Sequence, residues 1–396
     1  MGRVKALYLE MMENGYESLP DGQKFVCPQH FYDPYLSAYV AQHSESGTCS
    51  YCGRQGSVAD MRDVMGHIGF VVKMYFNNLD EERLPLASTY FDDGEEAIPG
   101  IKRLGCYAAP ASADDYLSTP DLLDALNAHT DNDALNEDID NVFIDQAWIK
   151  KEAFEPWKNE RMTWLWNHFS EIVKTTRRYT FWSIPSFDDG CSGLLTDILH
   201  HLGRALVTTD LIKEIPVGTS LFRVRSLSEM KSRYEFNDIT SAPDGVGGQC
   251  RMSPAGVSMF YGAYDKETAL AECLKCSDYV AHLVGEFRTK VPLHVVDLTS
   301  LPCDVSIWMN DWESVLFLKS FHSSITRPIG EDKENIDYVP SQVFTEYLRW
   351  MFRDKDGSSI DGVIYQSCKM DSKNIVLFCN QTKSAKWLDL ENYSIE

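Results

Sequence analysis

Positive charge is scarce in this sequence. Its 396 residues hold 37 Lys and Arg against 59 Asp and Glu, a formal net charge of −22. A broad nucleic-acid surface needs clustered cations for phosphate contacts, so this balance weighs against nucleic acid as a partner. From Leu104 to Ile149 there is no Lys or Arg, while ten acids fall between Asp114 and Asp145. That segment reads as a solvated loop or helix face, or as a docking surface for a basic partner. Long apolar runs are missing as well: none approaches the ~18 residues a membrane span needs. The opening MGRVKALYLEMMENG has no export-signal core, and Ala6 stands where a myristoylation signal has Ser or Thr. Repeats, coiled-coil tracts and P-loop or dinucleotide fingerprints are also absent. The 11 cysteines are odd in number and scattered. With no export signal, they indicate thiols kept reduced or bound to metal. The expectation is a soluble cytoplasmic protein that does not engage a membrane.

What is present supports sizeable cores. Apolar residues make up 44% of the chain and aromatics 12%, which excludes whole-chain disorder. The length suits two or three domains. Residues 1–215 carry 18 basic and 34 acidic side chains, and residues 216–396 carry 19 and 25. The excess acid therefore belongs mainly to the first half. An anionic ligand would need a local basic pocket working against the global field.

In FVCPQHFYDPYLSAYVAQHSESGTCSYCG, Cys27 and His30 form a C-x-x-H pair, and Cys49 and Cys52 a C-x-x-C pair followed by Gly53. Two such knuckles supply the four N/S ligands of tetrahedral Zn²⁺, and a Gly after the second Cys eases the tight turn. His43 is a second candidate ligand without the paired spacing. Four protein ligands close the site, so the expected Zn²⁺ is structural.

Residues 57–215 read as mainly helical, with stretches at 58–79, 148–178 (broken near Pro156) and 191–211, and a short helix near 121–128. After IPVGTS the texture changes to short β-rich runs, LFRVRS, VSMFYGA, HVVDL, GVIYQ and IVLFC, alternating with helices. In FTEYLRWMF, Phe344, Tyr347, Leu348 and Met351 fall at i, i+3, i+4 and i+7 and predict one buried face. The division expected is 1–56 zinc knuckle, 57–215 helical domain with its acidic loop, and 216–396 mixed α+β domain.

The segment GGQCRMSPAGVSMFYGAYDKETALAECLKC concentrates candidate chemistry. Asp265 is a plausible helix N-cap. On the helix that follows, Ala269, Glu272, Cys273 and Cys276 share a face, with Glu272 the only carboxylate on a small, apolar stripe. A carboxylate there requires a partner or a task. Cys273 and Cys276 read as core thiols.

LFRVRS, RMSPAGVSMFYGAYDKETALAE and YVPSQVF together resemble the RES domain, in the family's order and across about 180 residues. The front half, with its VCPQH and CSYCG pairs and WNHFSEIVKTTRRYTFW, resembles the zinc-knuckle plus HEPN-like region often fused before RES domains. The resemblance implies an ADP-ribosyltransferase-like α+β fold and an enzyme that consumes NAD⁺ by hydrolysis or phosphorolysis. Protein ADP-ribosylation is the alternative, and a non-catalytic or RNA-processing HEPN protein a third reading.

It also implies roles for particular residues. The catalytic set is Arg223, Glu272 and Ser341. Arg251 and Tyr261 bind substrate, with Met252 where the family usually has an aromatic. A toxin or defence role, with an antitoxin or regulatory protein as partner, is implied by the resemblance alone, and a homo-oligomer is left open. Arg161 and His168 have the R-x6-H spacing of HEPN ribonucleases, although Met162 and neighbouring aromatics read as core.

Overall fold

The computed structural model describes residues 23–78, 117–141, 147–151, 156–184, 195–273 and 279–396. Two compact units divide the chain. One is built from residues up to Pro156 together with Asp304–Trp312, the other from Trp157–Cys303 together with Glu313–Glu396.

In the first unit, β1 (Phe25–Val26), β2 (Glu45–Thr48) and β3 (Gln55–Asp60) form an antiparallel sheet in the order β1-β3-β2. Helix α1 (Pro34–Gln42) lies between β1 and β2. Its Asp33 side chain caps the free N–H groups of Tyr35 and Leu36. Helix α2 (Met61–Tyr75) buries Met61, Val64, Met65, Ile68, Val71 and Val72, an i/i+3/i+4/i+7 stripe. A second sheet pairs β4 (Phe76–Asn78), β5 (Leu117–Ser118) and β6 (Ala147–Lys150) in the order β4-β6-β5. The short helices α3 (Thr119–Ala125) and α4 (Asp133–Asp140) complete the core around Leu122, Leu135, Ile139 and Trp148.

This front region is therefore mixed α/β rather than mainly helical. Trp148–Lys150, expected within a helical stretch, instead belong to the strand Ala147–Lys150, which pairs with both neighbouring strands and buries Trp148 and Ile149. Pairing in the folded sheet outweighs the weak local preference of four residues.

The second unit is organised by an eight-stranded sheet. Its strands are β7 (Ile212–Ile215), β8 (Ser220–Leu227), β9 (Phe260–Ala263), β10 (Ala281–Thr289), β11 (Leu293–Asp297), β12 (Gly362–Gln366), β13 (Lys373–Leu377) and β14 (Leu388–Ile395). They lie in the order β14-β10-β8-β9-β13-β12-β11-β7, antiparallel except for β11 with β12. Helices α5 (Lys158–Thr175) and α6 (Asp197–Thr208) pack into the same core as this sheet. Met162, Leu165, Trp166 and Phe169 of α5 join Leu202 of α6, and α9 (Trp312–Thr326) and α10 (Val339–Glu346) contribute Phe321 and Phe344. Three further helices are α7 (Phe236–Ile239), α8 (Lys266–Cys273) and α11 (Gln381–Trp387).

Helices α5 and α6, within the 57–215 region of the sequence, bury their apolar stripes in the same core as the large sheet. The mixed α+β character expected of 216–396 is what this sheet and its helices show.

Two details position the site. Between β8 and β9 there is a single register pair, Phe222 with Ala263, so the sheet opens beyond it. And α10 runs into a π-helical turn at Tyr347–Met351, closed by Phe352 N–H donating to the Tyr347 carbonyl at 2.9 Å. The wider turn shifts the helical phase. Phe344, Tyr347 and Leu348 are buried as expected, but Met351 is 69% exposed. Among the described residues, no helix is long and apolar enough to cross a membrane.

Candidate metal centre and candidate active site

Cys27, His30, Cys49 and Cys52 converge in the first unit, with all ligand atoms within 4.8 Å of one another. Cys27 Sγ lies 3.7 Å from Cys52 Sγ, and Cys49 Sγ 3.5 Å from His30 Nε2. A tetrahedral Zn²⁺ with bonds of about 2.3 Å to sulfur and about 2.0 Å to nitrogen sets those edges at about 3.8 and about 3.5 Å. The residues fit the ion.

Burial opposes ionisation of Cys49, but backbone N–H groups of Cys52, Tyr51 and Cys27 and the His30 ring bring its thiol down to about 6. Cys27 moves the other way: burial and the two adjacent thiols push it up to about 12. Such a cluster gains from a cation at its centre. The Gly53 backbone takes φ +70°, the left-handed turn for which glycine is suited. His30 Nδ1 lies 3.7 Å from Asp131 Oδ1, an outer carboxylate of the kind that orients a ligating ring. His43 is not in the cluster; its ring stacks on Tyr39 at 4.1 Å.

In the second unit, Arg223 projects from β8 where the sheet opens. Its Nε donates to the Ile239 carbonyl at 2.8 Å and Nη1 to the Tyr261 carbonyl at 2.7 Å, and its guanidinium lies 5.2 Å from the Phe260 ring centre. It thus satisfies a carbonyl on β9 beyond the lone register pair. Desolvation by burial lowers its pKa, opposed by nearby cysteines and Tyr261, and no carboxylate pairs with it among the described ion pairs.

Glu272 occupies the last turn of α8. One oxygen, Oε1, accepts from Ser367 Oγ at 2.6 Å and Asn374 Nδ2 at 2.7 Å. Next to it, the half-buried Cys273 thiol donates to the Val224 carbonyl at 3.4 Å, joining α8 to β8 beside Arg223. Cys276 lies outside the described residues.

Arg251 sits in a tight turn closed by Cys250 and Ser253. It donates to the carbonyls of Ile325 at 2.7 Å and Arg327 at 3.0 Å and lies over the Tyr338 ring at 5.0 Å. Helix α10 cradles this turn. The Ser341 hydroxyl lies 2.6 Å from the Arg251 carbonyl and 2.9 Å from that of Tyr338, and Gln342 Nε2 donates to the carbonyls of Cys250 and Ser253. Met252 is fully buried, in sulfur contact with Thr345 Oγ1 at 3.5 Å. Tyr261 carries its phenol to Ser253 Oγ at 2.9 Å, and burial pushes its pKa well up.

The family matches divide the chain differently, since the N-terminal match continues past Pro156 through α5. Residues 220–391 match the RES domain family, and residues 42–187 match HEPN/RES N-terminal domain 1. Residues 220–391 are a RES domain. No curated protein matches the chain. A crystal structure of the M. tuberculosis MbcT–MbcA toxin–antitoxin complex is similar at 12% identity, covering 50% of this chain and 92% of that one, with a TM-score of 0.28.

Within the RES domain, the five expected residues sort into two linked groups. Arg223 touches the Tyr261 backbone, and Tyr261 in turn bonds the Arg251 turn that Ser341 holds. Glu272 joins them through its neighbour Cys273, whose thiol bonds the Val224 carbonyl on β8 next to Arg223. Nearby, the Tyr365 side chain of β12 is buried, and its pKa is raised by burial and then by Glu272 and lowered by Arg251.

Sequence reasoning missed Tyr365, Ser367 and Asn374. Asn374, a buried amide at the start of the apolar run NIVLF, was the available signal. Arg161 and His168 are on α5, Arg161 exposed and His168 stacked on Trp164 at 5.0 Å. A separate groove of about 730 Å³ is lined by Tyr179, Trp182, Tyr347 and Trp350 among others, and by none of the five expected residues.

Proposed function

We propose that the RES domain is an NAD⁺-degrading enzyme that cleaves the nicotinamide–ribose bond and passes ADP-ribose to water or phosphate. One observation carries the reading: a single carboxylate, Glu272, is held by two side-chain donors on a helix tied to β8 beside Arg223, a half-buried guanidinium with no carboxylate partner among the described residues. Cleavage of this bond passes through an oxocarbenium-like state, as glycoside cleavage does. A fixed carboxylate under the ribose stabilises that cation. Nicotinamide leaves neutral, so one carboxylate suffices and no general acid is required.

Arg223 and Arg251 each spend two donor groups on backbone carbonyls. This fixes the guanidinium planes and leaves N–H groups for the pyrophosphate. Tyr261 offers a ring face to the nicotinamide. Ser341 acts through the Arg251 turn, since its hydroxyl faces backbone carbonyls. Family membership supports enzymatic capacity in general. The biological role that follows is a bacterial toxin or defence effector restrained by its N-terminal half, with a protein partner or antitoxin as the restraint.

The test is to incubate the full chain with NAD⁺, with and without phosphate, and resolve products by mass. Free ADP-ribose or ADP-ribose-1″-phosphate is expected, and Glu272→Ala should abolish it. A mass adduct on a protein would reassign the domain to ADP-ribosyl transfer. NAD⁺ left intact in vitro, together with unchanged cellular NAD⁺ on expression, would leave only the non-catalytic reading.

A further inference from the structure

The hairpin joining β12 to β13 touches α8 at its start, at its carboxylate and at the Ala271 carbonyl. The described residues of α8, Lys266–Cys273, bury only Thr268 and Ala269, so little apolar surface docks it. At its start, Asp265 caps the Thr268 N–H at 2.7 Å, and the Ser372 hydroxyl of the hairpin donates to the same carboxylate. Further along the helix, Lys369 Nζ donates to the Ala271 carbonyl at 2.6 Å. Beside these ties, Ser367 and Asn374 bind Glu272.

Both donors are directed. The Ser367 hydroxyl accepts the N–H groups of Lys369 at 3.1 Å and Met370 at 3.2 Å. With its lone pairs engaged, its single proton is left for Glu272. Asn374 is 5% exposed and held in register between Tyr365 of β12 and Ala263 of β9, so its amide has little room to turn. The two hydrogen bonds converge on Oε1, and none is recorded to Oε2 among the described residues.

We propose that this hairpin is the positioning clamp of the site, with Ser367 and Asn374 as positioning residues that fix the Glu272 carboxylate plane and present Oε2 to the ribose. For its catalytic consequence the inference rests on the NAD⁺ reading above. Holding a reacting group within a fraction of an ångström of its productive place is worth about 10- to 100-fold in rate. Because both donors serve one oxygen, either alone retains part of the alignment.

The experiment compares Ser367→Ala, Asn374→Leu and the double variant in the full chain, with Ser367→Thr as the variant that keeps the hydroxyl. The expected result is a kcat for NAD⁺ cleavage lowered about 10-fold in each single variant and about 100-fold in the double. KM should stay within about twofold, and Ser367→Thr should stay near wild type. A second readout needs no turnover: the ¹³C carboxyl resonance of Glu272, assigned by its loss in Glu272→Gln, should shift in each single variant and furthest in the double.

If NAD⁺ is cleaved and the double variant keeps both kcat and the resonance, the clamp is refuted. A fall in KM-limited binding alone, with kcat intact, also refutes it. If wild-type protein leaves NAD⁺ untouched while the resonance shifts as expected, the NAD⁺ reading fails and the clamp stands. Circular dichroism separates a folded variant from one that has lost the sheet.

Discussion

The two candidate centres are assembled in opposite ways. The metal ligands all come from between Cys27 and Cys52, on two knuckles whose spacing is set by local turns. The RES site draws Arg223 from β8, Arg251 from a turn, Glu272 from α8, Ser341 from α10 and Asn374 from β13. In the first, chemistry organises the chain, because a four-ligand cluster gains much of its stability from the ion. In the second, the chain organises the chemistry, because a large sheet and its helices bring distant side chains into register. Each contrast can be broken by experiment.

The largest effect is expected at the metal centre. Replacing both Cys49 and Cys52 with Ser, or chelating the metal, should remove about one Zn²⁺ per chain by metal analysis. Apparent free energies of structural zinc reach about 10–16 kcal/mol in small zinc-binding peptides, enough to unfold a domain built on short strands. Hydrogen exchange should then show the first unit losing protection while the RES core keeps it. Equal loss in both units would erase the contrast.

A smaller effect is expected at Met252, which links the RES site to the core. Its side chain is fully buried among α10 residues while the adjacent Arg251 side chain reaches the Ile325 carbonyl. Met252→Ala removes buried methylene and sulfur contacts at about 2–5 kcal/mol. It should also loosen the Arg251 turn, raising KM for NAD⁺ more than it lowers kcat. Met252→Leu, close in volume, should recover most of both (about 1.5 kcal/mol or less lost). Denaturant melts read the stability, and steady-state kinetics the split.

These differences also explain what could be read from the sequence. The zinc pairs were legible because ligand spacing is a local property. The strand GVIYQ appears at Gly362–Gln366 as its pattern suggested, and LFRVRS lies within β8. Less legible were features decided by tertiary pairing. Four residues at Ala147–Lys150 become a strand only because partners lie on both sides. The α5 stripe was recognisable as amphipathic, but its partner core was not. Glu272 stood out as a lone carboxylate on its helix face, whereas its holders, Ser367 and Asn374, are about a hundred residues away in sequence and reach it only through the fold. The π turn after Glu346 likewise breaks a periodicity that predicts Met351 inside.

The smallest effect concerns protons, and it separates the two units again. In the first unit, His67 stacks on Tyr39 at 3.7 Å with the rings 9° from parallel, and Trp308 lies 6.1 Å away. Its Nε2 is buried without a hydrogen-bond partner. Burial, then the nearby His43, lowers its pKa. In the RES unit, burial lowers those of His201 and His322. A histidine depressed on folding binds its proton more tightly when unfolded. Its contribution is therefore complete above the unfolded value near 6.5 and is lost as pH falls through the folded value. Both units should lose stability on acidification below about 6.5. His67→Phe keeps the stacked ring and removes the titration, so it should flatten the acid limb of the first unit alone. Thermal melts between pH 7.5 and 6, where the zinc ligands stay deprotonated by the metal, read this directly. A flattening of both limbs would show that the two units unfold as one.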